Sequence, residues 1–217
     1  PDQFVLINTP DERVLRRSIA DLVYQVQVLD LMGLDNSAKV QVHVGGVYGN
    51  KTASADRFVK QYHLLDSSVS ELLACVGFDF LWIDTEHSAL DRGTLLPHLV
   101  AAQAGGAAAF VRIPWNDPVL AKPVLEMGPA GLVFPWVCTA EQAKAAVAAC
   151  LYPPAGVRGF GPRRAVRYGM VSTEQYLREA AASSWRIMQI EHVEAVRNLE
   201  AIVAVEGVDA IVVGPND

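Results

Sequence analysis

The chain alternates between short apolar runs and longer stretches with helical spacing. The apolar runs predict strands at residues 4–7, 40–44, 79–84, 108–113, 131–136, 186–191 and 209–214. Short continuous runs of this kind are typical of buried parallel strands. Helices are predicted after Thr9-Pro10 up to Gly33, from Ser67 or Ser68 to Gly77, and after the strand 79–84 through about Ala104. Further helices are predicted at 117–127, 140–151, 173–183 and 193–206. Residues 53–65 fit a helix, although residues 59–65 also fit a strand.

Strands and helices that alternate at this pitch predict β/α units with a parallel sheet. We therefore expect an α/β fold, a (β/α)8 TIM-type barrel with seven or eight parallel strands, as one domain over residues 1–217. In such a barrel the carboxyl ends of the strands meet at one mouth, where catalytic groups collect.

Composition narrows the class of protein. Hydrophobic residues make up 51% and charged residues 19% of 217 residues, which is typical of a globular domain. No apolar window approaches the roughly 20 residues of a spanning helix, and residues 1–3 do not resemble a signal peptide. Three cysteines without a CxxC pair favour a reduced, cytoplasmic setting. The net charge of −6 disfavours nucleic acid as a partner.

One loop departs from this acidic balance. A cluster of arginines lies in the Gly- and Pro-rich stretch 153–169: Arg158, Arg163, Arg164 and Arg167. The cluster is either a solvated loop held by carboxylates or an anion site.

Four of the apolar runs end in residues that can do chemistry. Asp84, Glu86 and His87 follow the run at 80–83, Arg112 follows 109–111, Glu191 follows 187–190, and Asp217 comes after 210–213. Two carboxylates, an arginine and a histidine at one rim predict an active site. In the simpler alternative, an Asp caps the next helix and Arg112 neutralises a carboxylate.

The residue types indicate one reaction class. Glu191 and Asp217 would hold a hard divalent ion, Mg²⁺ or Mn²⁺ with Co²⁺ as an alternative. Such an ion would chelate a small 2-oxo acid and stabilise its enolate. Arg112 would bind the same oxyanion, and His87, paired with Asp84, would move the proton. The Asn216 amide would face the substrate carboxylate. His192 should face away from Glu191, so a structural role is expected.

Residues 61–217 resemble the HpcH/HpaI aldolase and citrate lyase family of (β/α)8 barrels. The matching motifs are 77–87 (GFDFLWIDTEH), 111–114 (VRIP), 152–159 (YPPAGVRG), 189–191 (QIE) and 207–217 (GVDAIVVGPND). The resemblance implies a class II pyruvate aldolase that acts on 4-hydroxy-2-oxo acids. It places the metal on Glu191 and Asp217, the substrate arginine on Arg112, and Gln189 beside the substrate. His87 with Asp84 would form the acid/base pair.

Residues 1–60 look instead like ultraviolet-damage endonucleases, which are also metal-dependent barrels. The similarity lies in residues 1–10 (PDQFVLINTP) and 42–51 (VHVGGVYGNK). It implies that His43 is a relic metal ligand and that Gln3 and Phe4 match residues that probe a DNA lesion. Most of that family's remaining metal cluster has no counterpart here.

The simplest hypothesis is a chimera of two barrel fragments joined within residues 55–66. The chain stops at Asp217, where the aldolase family is expected to continue, and the two N-terminal units would fill that gap. Three functions follow: a class II aldolase, an engineered barrel scaffold without useful turnover, and a remnant of a lesion endonuclease. The sequence does not determine the oligomeric state. The resemblance implies that a neighbouring subunit contributes part of the active site.

Overall fold

The computed structural model describes residues 66–75, 78–180 and 182–214, together with three strands at 5–8, 40–43 and 47–50. The predicted helix after Thr9-Pro10, the ambiguous segment 53–65, and residues 215–217 lie outside the described residues. The side chain of His43 lies outside them as well.

Eight strands and seven helices are described in this part of the chain. The strands are β1 (Val5–Asn8), β2 (Val40–His43), β3 (Val47–Asn50), β4 (Phe80–Asp84), β5 (Ala108–Arg112), β6 (Gly131–Phe134), β7 (Trp185–Ile190) and β8 (Ala210–Val213). The helices are α1 (Ser68–Cys75), α2 (Arg92–Ala104), α3 (Pro118–Leu125), α4 (Ala140–Cys150), α5 (Thr173–Glu179), α6 (Val193–Arg197) and α7 (Leu199–Val203). A single 3₁₀ turn, Arg167–Gly169, lies in the loop before α5.

Strands β4 to β8 pair in sequence order and run parallel, forming a curled half-barrel with the α/β character that the sequence predicts. At one edge β1 pairs in parallel with both β8 and β2. At the other edge β3 runs antiparallel to β4. The sequence-based interpretation contains no strand at 47–50, so this antiparallel neighbour corrects the expectation of parallel strands alone. The closed eight-stranded barrel and its composite origin stay predictions.

Polar caps fix where several helices begin. Thr139 forms a reciprocal capping box with Gln142 at the start of α4. Asp91 and Thr94 form a second box at the start of α2. Asp117 caps α3, and Pro118 occupies its first turn. The predicted helix 193–206 is wrong as a single element, because Asn198 interrupts it and separates α6 from α7.

The hydrophobic core lies on both faces of the half-barrel. The larger cluster packs the outer face of the strands against the helices. A smaller cluster on the inner face takes one buried side chain from each of four strands: Trp82, Val133, Ile187 and Val212. Because side chains alternate between faces along a strand, residues two positions further on share this inner face.

Two buried polar side chains, His98 and Arg158, pack the outer layer together. His98 in α2 is fully buried, and its Nδ1 lies 2.8 Å from the Ser70 hydroxyl of α1. Arg158 is buried, donates to Glu126 at 3.1 Å and to the Tyr176 hydroxyl at 3.0 Å, and lies over the Tyr152 ring. These contacts favour the structural alternative for this member of the arginine cluster.

The cysteines Cys75, Cys138 and Cys150 are free thiols. None of the helices in the described part of the chain combines the length and apolar character needed to cross a bilayer.

Candidate active site

The candidate active site lies directly beyond the inner layer of the half-barrel. Asp84, Arg112 and Gln189 each lie two residues beyond an inner-face residue, namely Trp82, Phe110 and Ile187. Glu191 and Gly214 lie two residues beyond Gln189 and Val212 on the same face. The strand period therefore brings together polar side chains from β4, β5 and the end of β7, with Gly214 after β8 beside them, at the carboxyl end of the sheet.

Arg112 and Asp84 form a buried, two-pronged ion pair. Arg112 Nε donates to Asp84 Oδ1 at 2.9 Å, and Nη2 donates to Oδ2 at 2.6 Å. Both residues are 2% exposed. The guanidinium lies 5.8 Å from the centroid of the Trp82 ring beneath it. A planar guanidinium held by a carboxylate fork has one orientation, so Asp84 fixes the direction in which Arg112 presents its charge.

Glu86 and His87 differ from the expected arrangement. His87 Nε2 lies 3.4 Å from Glu86 Oε2, and the imidazole is 66% exposed. Asp84 instead accepts hydrogen bonds from the backbone N–H groups of Glu86 and His87, at 3.0 and 3.4 Å. The predicted side-chain pair of His87 with Asp84 is therefore replaced by a pair with Glu86, because the Asp84 carboxylate is already bound by Arg112.

Glu86 also links this pair to the rest of the site. Its Oε2 lies 3.1 Å from Arg112 Nη1, and its side chain is only 15% exposed. The same Nη1 donates to Gln189 Oε1 at 3.3 Å. Arg112 thus contacts the Asp84 carboxylate of β4, the Glu86 carboxylate just after β4, and the Gln189 amide of β7.

Glu191 is a buried carboxylate whose two oxygens face neutral donors. The backbone N–H of Trp136 donates to Oε1 at 2.6 Å, and the Gln189 amide donates to Oε2. Trp136 adopts a left-handed backbone conformation with φ of 57°. Such a conformation costs a bulky residue about 1–3 kcal/mol and concentrates at functional sites.

The segment after β8 approaches Glu191 closely. A Cβ added at Gly214 would lie 3.1 Å from both Cβ and Oε2 of Glu191, and 3.2 Å from the Gln189 amide nitrogen. The Gly214 N–H donates to the Ile190 carbonyl at 2.9 Å. The chain therefore leaves β8 beside Glu191, while Asn216 and Asp217 themselves lie outside the described residues.

The Glu191 environment fits a hard divalent cation. The carboxylate is 8% exposed, and among the residues that the structure describes no arginine, lysine or histidine pairs with it. A buried anion of this kind needs a compensating charge. Each Glu191 oxygen accepts one hydrogen bond, and a carboxylate oxygen has lone pairs for a second partner.

Several contacts were missed from sequence. The link from Glu86 to Arg112, the Trp136 N–H and the Trp82 ring had no detectable signal, since a backbone donor or an apolar residue in a strand looks like ordinary core. His192 has the expected structural role, because its Nδ1 accepts the Glu194 N–H at 3.2 Å and caps α6. Its ring packs on Trp136 with centroids 5.5 Å apart.

Comparisons with known proteins give two family matches along the chain. The family model for HpcH/HpaI aldolase/citrate lyase matches residues 63–217. A second family model, UV-endonuclease UvdE, matches residues 1–82.

Relatives of the larger segment are aldolases by name. A 2-dehydro-3,6-dideoxy-6-sulfogluconate aldolase of Pseudomonas putida is 45% identical over 70% of this chain and 59% of its own length. A 4-hydroxy-2-oxovalerate aldolase of Novosphingobium aromaticivorans is 44% identical over 71% of this chain and 58% of its own. A crystal structure of a family protein from Burkholderia cenocepacia superposes with a TM-score of 0.67 at 36% identity, covering 70% of this chain and 62% of that one. The chain thus spans less than two thirds of the length of these relatives.

Proposed function

Because the chain belongs to the HpcH/HpaI aldolase/citrate lyase family, we propose that it carries a divalent-metal-dependent pyruvate aldolase site acting on 4-hydroxy-2-oxo acids. The observation that carries the proposal is the buried Glu191 carboxylate, which lies beside the Asp84–Arg112–Gln189 network without a cationic partner among the described residues.

Glu191 and Asp217 would hold the cation, Mg²⁺ or Mn²⁺ with Co²⁺ as an alternative. When bound, it would supply Lewis-acid polarisation of the 2-oxo acid and so favour the pyruvate enolate. The Trp136 N–H and the Gln189 amide orient the Glu191 carboxylate. Among the described residues, this proposal makes Glu191 the ligand that can be tested directly.

Arg112 and Gln189 would position the substrate. The Asp84 carboxylate holds the guanidinium rigid, and its Nη1 lies toward Gln189. A fixed positive charge stabilises negative charge that develops on the substrate oxygen as the carbon–carbon bond breaks. The Asn216 amide would add a donor for the substrate carboxylate.

His87 would act as the acid/base, oriented by Glu86. In cleavage a base takes the proton of the C4 hydroxyl, the C3–C4 bond breaks, and its electron pair forms the enolate of pyruvate while an aldehyde leaves. An exposed imidazole next to a carboxylate can take up this proton and pass it to solvent. Asp84 is then a positioning residue for Arg112.

Pyruvate release from a 4-hydroxy-2-oxo acid, measured with and without Mg²⁺ or Mn²⁺, tests the proposal. We expect metal-dependent turnover that Glu191→Gln abolishes, since the amide keeps the shape and removes the charge. Glu200→Gln, at an exposed position in α7, is the matched control and should keep parental activity. Metal-independent turnover, or full activity in Glu191→Gln, would rule the proposal out.

The alternative of a composite chain is supported by two family matches, over residues 1–82 and 63–217, which overlap at 63–82. If the site is held by neighbours from a different barrel, the outcome is a folded scaffold without useful turnover, because catalysis is sensitive to errors of about 1 Å. Folded protein that releases no pyruvate at any metal concentration would favour this alternative.

Lesion-specific nicking of DNA is the remaining alternative, and the match of residues 1–82 is its support. Incubation with ultraviolet-irradiated duplex at low salt tests it. Strand cleavage that depends on His43 would favour the nuclease, whereas failure to bind or cut would dispose of it.

A further inference from the structure

A group of three side chains with ligand atoms suited to a metal ion lies on the rim next to the candidate active site. The ligand atoms of Cys138, His192 and Glu194 all lie within 4.8 Å of one another. Cys138 belongs to the connection from β6 to α4, whereas His192 and Glu194 lie where β7 leads into α6. None of these three residues has a part in the proposed aldolase reaction.

We propose that Cys138, His192 and Glu194 form a binding site for a soft divalent transition metal ion of the Zn²⁺ class. A thiolate, an imidazole and a carboxylate make up the kind of donor set that zinc and cobalt prefer, whereas Mg²⁺ requires oxygen ligands. Three protein ligands leave the fourth tetrahedral position open to water or to a small anion.

The backbone around Cys138 is fixed before any ion arrives. Its N–H donates to the Gln142 side chain at 2.6 Å, and its carbonyl accepts from the Asn198 amide at 2.9 Å. These bonds join the Cys138 segment to α4 on one side and to the break between α6 and α7 on the other. A thiol on a segment held at both backbone groups keeps its place relative to His192.

The geometry requires only a small contraction. A tetrahedral zinc with bonds of about 2.0–2.3 Å separates its ligand atoms by roughly 3.3–3.8 Å. The exposed Glu194 carboxylate and the half-buried His192 ring can close this gap by rotation, while the buried thiol stays in place.

Binding would deprotonate the Cys138 thiol and break one existing hydrogen bond of His192. The thiol proton is released to solvent when the thiolate coordinates the ion. The His192 Nδ1 lone pair now accepts the Glu194 N–H. Coordination through Nδ1 takes that lone pair directly, and coordination through Nε2 moves the ring proton to Nδ1, so either mode ends this long cap bond.

The site uses atoms different from those of the aldolase proposal, so the two can succeed or fail separately. Glu191 is oriented by Trp136 and Gln189, and neither oxygen contacts the three ligands through a hydrogen bond. Filling the oxygen-ligand site with Mg²⁺ therefore leaves the second site available for measurement.

Titration of the whole protein with Co²⁺ in saturating Mg²⁺ tests the proposal. We expect one equivalent of Co²⁺ to produce a thiolate-to-cobalt charge-transfer band, which oxygen ligands cannot give. The band should vanish in Cys138→Ser and remain in Cys75→Ser, the matched control at an exposed cysteine. His192→Ala should weaken Co²⁺ binding at least about tenfold, since even outer partners of a metal ligand contribute 10–100-fold.

A second readout keeps the test decisive if Cys138→Ser does not fold. Zn²⁺ should slow iodoacetamide labelling of Cys138 in the parent protein, as mapped on peptides, and lose this effect in Glu194→Ala combined with His192→Ala. A band that persists without Cys138, no band in the parent protein, or labelling that Zn²⁺ does not change would each overturn the site.

Discussion

At the scale of single residues, Arg112 connects more of the candidate site than any other side chain discussed above. It contacts Asp84, Glu86 and Gln189 while being almost completely buried. We predict that Arg112→Lys lowers kcat/KM for pyruvate release by about 100-fold, because an ammonium keeps the charge but cannot hold the two-pronged geometry. Steady-state kinetics with a circular-dichroism check of folding measure this.

Arg178→Lys is the control for that substitution. Arg178 is 64% exposed and pairs with Glu174 one helical turn away, so its replacement should change activity and stability very little. A parental kcat/KM in Arg112→Lys would show that the orientation of the guanidinium is unimportant.

Cys150 gives a second prediction at this scale, concerning alkaline stability. Burial raises the pKa of its thiol to about 12. An unfolded thiol loses its proton near pH 8.5, so between about pH 8.5 and 12 the folded state binds more protons and stability falls as pH rises. We expect Cys150→Ala to have a shallower decline in unfolding free energy from about pH 8 to about pH 10 than the parent.

Urea unfolding at both pH values measures the difference, and Cys75→Ala serves as the exposed control. Each variant keeps all the other groups that titrate at alkaline pH. Their contribution to the pH dependence of the unfolding free energy therefore cancels when a variant is compared with the parent. Equal slopes in Cys150→Ala and the parent would mean that the thiol ionises alike in both states.

At the scale of elements, the close pairing of β5, β6 and β7 depends on a residue without a side chain. A Cβ at Gly131 would lie 2.6 Å from the Trp185 carbonyl oxygen and 2.9 Å from the Phe110 ring. We predict that Gly131→Ala lowers the free energy of unfolding by about 1–3 kcal/mol, since strands cannot move apart without breaking ladder bonds. Denaturant unfolding measures the change.

The matched control is Gly161→Ala, because Gly161 is exposed and a Cβ there would meet no atom within 4 Å. It should be neutral or slightly stabilising, as the alanine restricts the unfolded chain. If both variants lose the same stability, the crowding at Gly131 is not the cause.

The elements themselves were predictable where one local signal dominated. Each of β4 to β8 contains a short, mainly apolar run, and Thr139 with Gln142 forms a recognisable cap. The break at Asn198 was not predictable, because the Asn198 amide binds the Cys138 carbonyl of another connection. Strand β3 follows two glycines, a pair typical of loops, and its pairing partner lies 30 to 36 residues further along the chain.

At the scale of the whole molecule, the period of two along parallel strands explains why side chains from separate strands lie together at one end of the sheet. It aligns Asp84, Arg112 and Gln189 on one face irrespective of side-chain detail. Which carboxylate pairs with which base depends on competition in three dimensions. Arg112 binds the Asp84 carboxylate, so His87 meets Glu86, and no pattern along the chain records that outcome.

Metal binding should also stabilise the whole fold. This prediction distinguishes a catalytically active metal site from one that binds metal without turnover. An ion present at about 100 times its dissociation constant adds about 2.7 kcal/mol to the folded state. For a domain of this size that raises Tm by about 5–11 °C. We expect Mg²⁺ or Mn²⁺ to produce this shift in the parent and in Glu200→Gln, and Glu191→Gln to lose most of it. A shift without pyruvate release would identify a folded scaffold that binds metal, whereas equal shifts in the parent and Glu191→Gln would remove Glu191 from the metal site.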